Sequence, residues 1–242
     1  MEIAVVSDTH IPTRETEIPG PFRERIAAAD HTVHAGDFET RAVLDDLRDL
    51  ATDLTAVYGN IDPADIGLPA VADFRAEGVH LVVSHGTLNP VEAAVHQTDA
   101  TTIGSGSEVY RAAIADTARV RARAWTSEDT VVGIGGHIHE VVDEEFEGIR
   151  VLNPGSVTGA DPAERPTMLT LTLDSGDVDV TLHELCPRCL RLICVVAEAN
   201  SKASSVSRRE KTGKRQNRAY DASPPNSSMS SGTTSKRSST MA

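Results

Sequence analysis

The stretch Glu2–Pro12, "EIAVVSDTHIP", decides the fold. An apolar run from Ile3 to Val6 meets Ser7 and then Asp8, Thr9 and His10. A continuous β-branched run of this kind is typical of a strand buried on both faces. Here it ends in an acid and an imidazole two residues apart, which an ordinary strand end does not need.

The residues downstream extend the pattern. "GPFRERIAAAD" (20–30) reads as a helix with Pro21 near its first position and Phe22, Ile26 and Ala29 on one face. "HTVHAGD" (31–37) reads as a second strand. "TRAVLDDLRDL" (40–50) is a helix with Thr40 as N-cap and a stripe of Val43, Leu44, Leu47 and Leu50. "LTAVYGN" (54–60) is a third strand. This β-α-β-α-β order predicts a layered α/β fold with a parallel core.

After Pro69 the pattern changes. Hairpins are expected at "AVADFRAEGVHLVVSHG" (70–86), "HEVVDEEFEGIRVLNPGS" (139–156) and "TMLTLTLDSGDVDVTLHEL" (167–185), with a helix over 107–125 and an apolar strand at "TVVGIGGH" (130–137). The whole predicts two stacked mixed β-sheets flanked by helices.

Charge divides the 242 residues sharply. Residues 1–185 hold 33 Asp and Glu against 12 Arg and no Lys, a net of −21, whereas 186–242 carry +8. The acidic part argues against nucleic acid or an anionic membrane as partner. Its carboxylate density, without Lys and with few aromatics, resembles proteins of salt-loving archaea. Residues 186–242 are basic and Ser-rich and have the composition of a disordered tail, so a domain of residues 1–185 is expected. All three Cys lie in that tail. In "HELCPRCLRLIC" (183–194), His183, Cys186, Cys189 and Cys194 could in principle ligate one zinc, but the irregular spacing and the lack of a second CxxC favour an unstructured extension. No apolar run reaches about 18 residues, and the N-terminus lacks the features of a signal peptide, so a cytoplasmic protein is expected.

The strand ends together account for Asp8 and His10. "SDTH" supplies those two, "AGD" supplies Asp37, "YGN" Asn60, "VVSHG" His85, and "GGHIH" His137 and His139. Each follows an apolar run, at the place where α/β sheets bind ligands. If the chain is extended there, residues two apart project to the same side. Gly36, Gly59 and Gly136 stand just before candidates and permit close approach. Carboxylate, imidazole and amide donors together suit Mn, Fe, Zn or Ni better than Ca or Mg alone. Seven ligands with one shared carboxylate suffice for two divalent ions.

The series D-x-H, GD, GN, H and GH-x-H resembles the calcineurin-like metallophosphoesterases over about residues 2–185. "GNID" (59–62), "NPGS" (153–156) and the short chain resemble their small bacterial and archaeal phosphodiesterase branch. The resemblance implies that Asp8, His10, Asp37 and His139 hold one metal. Asp37 as a bridge, with Asn60, His85 and His137, would hold the other. It further implies two divalent ions, Mn first, with Ni, Fe or Zn as alternatives. A metal-bridging hydroxide would attack the phosphorus of a small phosphodiester, with Asp37, Asn60 and His85 as the residues acting at the reacting phosphate. The rival reading is a non-catalytic, protein-binding scaffold of the same fold. A homo-oligomer is left open.

Three further residues carry expectations. His34 reads as an imidazole supporting the site from behind or packing in the core. Ile61 stands where the wider superfamily commonly has a His that assists the leaving group; the phosphodiesterase branch also lacks it. His96 or Tyr110, from a long 86–129 segment expected as a lid or dimer contact, would then be the candidate acids.

Overall fold

The computed structural model describes residues 1–87, 108–124 and 129–186, together with the backbone of Leu192–Val195. Its strands are β1 (Glu2–Val6), β2 (His31–His34), β3 (Leu54–Ala56), β4 (Val71–Ala76), β5 (Val79–Ser84), β6 (Thr130–Ile134), β7 (Val141–Phe146), β8 (Ile149–Pro154), β9 (Thr167–Asp174), β10 (Asp177–Leu185) and β11 (Leu192–Val195). The helices are α1 (Gly20–Ala28), α2 (Arg41–Leu50) and α3 (Glu108–Ala122).

Two mixed sheets result. One has the order β11-β10-β9-β1-β2-β3 and the other β4-β5-β6-β8-β7. β1, β2 and β3 pair in parallel, as do β5, β6 and β8. β1 shows why its run is apolar throughout. Ile3 and Val5 face the second sheet and pack with Leu81, Val83, Val132 and Ile134. Ala4 and Val6 face the other way, against Phe22 and Ile26 of α1 and Leu44 and Leu47 of α2. The period of two feeds two cores at once. α3 covers the outer face of the second sheet with Tyr110, Ile114 and Ala115. The layers are therefore helix, sheet, sheet, helix, as expected.

Local signals hold at the predicted places. Thr40 caps α2 by accepting from the Val43 N–H at 3.4 Å. All three hairpins turn on a pair of positive-φ residues ending in Gly: Glu77-Gly78, Glu147-Gly148 and Ser175-Gly176. Arg119 and Arg121 of α3 pair with Asp116, Glu147 and Asp73. Of the 86–129 segment, residues 88–107 and 125–128, which include His96, lie outside the described residues. The sheet continues past Leu185, since β11 pairs antiparallel with β10 from Leu192 to Val195. The rest of the expected tail lies outside the described residues. Among the described residues, no helix is long and apolar enough to cross a membrane.

A net of −21 over residues 1–185 repels itself at low ionic strength. The Debye length falls from about 10 Å at 0.1 M to about 3 Å at 1 M salt. The thermal midpoint should therefore rise with KCl in calorimetry. A flat profile up to 1 M would contradict the salt-adapted reading.

Candidate metal centre

All seven candidate ligands lie beyond the carboxyl ends of β1, β2, β3, β5 and β6. Backbone bonds run between these loops. The Asp8 N–H donates to Gly36 O at 3.0 Å and the His10 N–H to Asp37 O at 3.1 Å. The Gly136 N–H donates to His85 O at 3.0 Å and the Val157 N–H to Ser7 O at 3.0 Å. The two sheets are thus joined at the rim that carries the site.

The loops are not extended. Asp8, His10, Asp37, His137 and His139 all have left-handed φ, from 51° to 72°. Such residues are uncommon outside Gly, and each costs about 1–3 kcal/mol. The same-side rule for residues two apart therefore does not apply. Asp8 and His10 do meet in one cluster, with His139; His137 joins a different one, with Asp37 and His85. Two glycines admit the close approach. A Cβ on Gly59 would collide with Asp37 Oδ1, and one on Gly136 would sit 2.9 Å from Asp8 Oδ2.

The donor atoms converge. In the first cluster His10 Nε2 is 2.9 Å from His139 Nε2, which is 3.3 Å from Asp8 Oδ1. In the second, His85 Nε2 is 3.0 Å from Asn60 Oδ1 and 3.2 Å from Asp37 Oδ2. Asp37 Oδ2 also lies 3.7 Å from His10 Nε2, so it stands between the clusters. Ligands around an ion with bonds of about 2.0–2.2 Å stand about 3–3.5 Å apart, in keeping with most of these separations.

Tautomers sharpen the point. His139 Nδ1 is 2.8 Å from Ala160 O, and His85 Nδ1 is 2.7 Å from Ala35 O. His10 Nδ1 faces Glu39 Oε1 at 3.3 Å. A carbonyl or carboxylate oxygen only accepts, so each Nδ1 carries the proton. A ring that is neutral then points an Nε2 lone pair at other acceptors, and His85 does so once its second proton leaves. His137 Nε2 is buried with no hydrogen-bond partner. A site made of inward-pointing lone pairs needs a cation, and this donor set fits a divalent metal.

Protonation follows the same geometry. Burial opposes the charge on Asp8, yet its hydrogen bond with His139 and the field of His85 hold it down to about 2. Burial also opposes protonation of His85, but its bond to Asp37 and the nearby carboxylates raise it to about 9. Burial lowers His137, and it lowers His10 despite Asp37 and Asp8.

Several supporting groups have no obvious signal in the sequence. The Asp62 carboxylate accepts four backbone N–H groups, from Asp37, Phe38, Glu39 and Gly59, at 2.7–3.0 Å. It pins the strained loop that carries Asp37. "GNID" contains this residue, but nothing in its spacing reveals the role. Glu39 backs His10 and also accepts from the Thr13 N–H at 2.9 Å. In "NPGS", Ser156 is fully buried and donates to Asp8 O at 2.8 Å, so it supports the ligand loop from within. His34 sits behind the site as expected. Its Nδ1 accepts from Gly36 N–H at 3.1 Å, and its Nε2 donates to Thr9 Oγ1 at 2.7 Å. Tyr110 cannot serve as an acid toward substrate. It is buried, its hydroxyl donates to Gly136 O at 2.9 Å, and burial raises its pKa.

Asp62→Ala should cost at least about 3 kcal/mol in urea unfolding, since hydrogen bonds to a charged acceptor are worth about 1.5–3 kcal/mol each. It should also weaken divalent-metal binding in calorimetry. Unchanged stability and metal affinity would show that the loop holds itself.

The comparisons agree with the geometry. The model of the calcineurin-like phosphoesterase superfamily domain matches residues 1–176. A probable metallophosphoesterase of Methanothermobacter thermautotrophicus is 30% identical over 183 residues, covering 75% of this chain and 91% of the relative. Another, from Methanocaldococcus jannaschii, is 30% identical over 159 residues, covering 65% and 69%. The crystal structure of Vps29 from Chaetomium thermophilum shares the fold, with a TM-score of 0.62 at 19% identity over 81% of this chain and 96% of its own. The matched span includes both clusters of converging ligand atoms, and this chain belongs to the calcineurin-like phosphoesterase superfamily.

Proposed function

We propose that the protein is a divalent-metal-dependent phosphoesterase acting on phosphodiesters. The observation that carries this reading is the convergence of imidazole Nε2 atoms and carboxylate oxygens in one buried site. Asp8, His10 and His139 would hold one ion, and Asn60, His85 and His137 the other, with Asp37 shared. Bound there, two ions supply Lewis acidity toward phosphoryl oxygens and lower the pKa of water. The mixed donor set admits Mn, Fe, Zn or Ni, and Mn is the first to test.

The protein's own groups orient that centre. The Ile61 N–H donates to Asp37 Oδ1 at 3.1 Å, and Asp62 fixes the loop beneath it. Thr87 Oγ1 donates to Asn60 Oδ1 at 3.3 Å. The Nδ1 bonds set the four-ring arrangement, except at His137. Every ligand position is filled, which favours an enzyme over a protein-binding scaffold.

Mn-loaded protein should hydrolyse bis(4-nitrophenyl) phosphate, and chelator-stripped protein should not until Mn is restored. Inactivity with two equivalents bound would overturn the reading. Elemental analysis should show Asp37→Asn losing both ions and Asn60→Ala losing mainly one. Two full equivalents in Asp37→Asn would remove it as the shared ligand.

Metal must displace a proton from His85, which the free protein holds up to about pH 9. Affinity should therefore climb as pH rises from 7 towards 9, by up to about tenfold per pH unit for one displaced proton. Calorimetry in buffers of different ionisation enthalpy should detect the released proton. A pH-independent affinity would show that His85 binds no ion.

Ile61 offers no side-chain proton to a leaving oxygen, and Tyr110 is committed elsewhere. General acid help is worth about 10²–10⁴-fold. The rate should thus depend steeply on leaving-group pKa, favouring aryl over alkyl esters, and Ile61→His should flatten the dependence. A wild type already insensitive to leaving group would reveal another acid.

A further inference from the structure

Beside the second cluster lies a cleft of about 280 Å³. Its floor includes His85, Gly59 and Asn60, so it opens directly onto the candidate metal centre. One wall is α3, with Ala113, Ile114 and Thr117; the opposite wall is Ala70 and Val71, at the start of β4. Tyr58, 44% exposed, presents its ring at the mouth. The remaining polar lining is hydroxyl, from Ser84 and Thr87.

The chemistry of this lining is selective. Among the described residues, no side chain lining it is charged apart from the ligand candidate His85, although the surrounding domain is dense in carboxylates. A buried apolar wall, an exposed aromatic face and a few hydroxyls suit a neutral planar ring, which gains from burial and from offset stacking. An anionic substituent would be desolvated there without a partner.

We infer that this cleft seats one ester substituent of the substrate, and that the substituent carries a neutral aromatic ring of aryl or nucleobase size. The inference rests on the phosphoesterase reading of the adjoining centre. It also explains how the protein would choose among diesters that the metal ligands cannot tell apart. The phosphate would occupy the ligand rim, and the ring would lie between α3 and the start of β4.

The test uses full-length, metal-loaded protein and two non-hydrolysable anions, phenylphosphonate and methylphosphonate. Titration calorimetry should show phenylphosphonate binding at least tenfold more tightly. Thr117→Trp and Ala70→Trp narrow the cleft from opposite walls without touching a metal ligand. In both, the advantage of the phenyl group should fall below twofold, while affinity for methylphosphonate and metal content stay unchanged. A 4-carboxyl group on the ring should abolish the advantage in wild type. Equal affinity of the two phosphonates in wild type would overturn the inference, as would a phenyl advantage that survives both variants. Hydrolysis of bis(4-nitrophenyl) phosphate, measured alongside, separates the two claims. Turnover without ring preference removes the cleft and keeps the phosphoesterase. Ring preference without turnover keeps the cleft and removes the phosphodiesterase.

Discussion

The structure is organised around electron-rich atoms held against one another. Imidazole Nε2 atoms and carboxylate oxygens from four strand ends stand 2.9–3.8 Å apart in a buried site. Nothing in that set attracts itself unless a proton or a cation lies between its members. The fold must therefore hold the arrangement in place by other means. Backbone acceptors fix the Nδ1 atoms of His85 and His139, and Glu39 does so for His10. Ser156 and Asp62 brace the loops from behind. Five left-handed ligand residues are the visible strain of that design, and strain of this kind gathers at functional sites.

The architecture was legible because its causes are local. The unbroken run from Ile3 to Val6 requires two buried faces, and the structure supplies a core on each. Each hairpin turn carries a Gly in its second position. The candidate ligands could be placed together for a similar reason: each follows a strand, and strand ends gather at one rim of a parallel sheet. What could not be read was conformation beyond the strands. Extended geometry was the natural expectation for Asp-x-His and His-x-His, and left-handed turns replace it. The role of Asp62 was hidden because a carboxylate that accepts backbone N–H groups leaves no periodic trace. Tyr110 looked available in the sequence, but α3 packs it beneath Gly136.

Function divides between the two sides of this rim. The ligand loops treat any phosphate alike, because their donors recognise charge and geometry. On the proposed function, selection would come from beside them, where the cleft between α3 and β4 has no charged lining among the described residues apart from His85. Ile61 would add a second filter at the leaving group. On the proposed function, the two features together would make an enzyme that relies on a reactive centre and a ring-sized recess, with little proton donation from its side chains.

The most direct test is anomalous diffraction from crystals of the Mn-loaded protein, recorded at the Mn absorption edge. Two adjacent peaks are predicted, one within bonding distance of Asp8, His10 and His139, the other of Asn60, His85 and His137, with Asp37 touching both. A single peak, or peaks remote from these residues, would contradict the dinuclear centre.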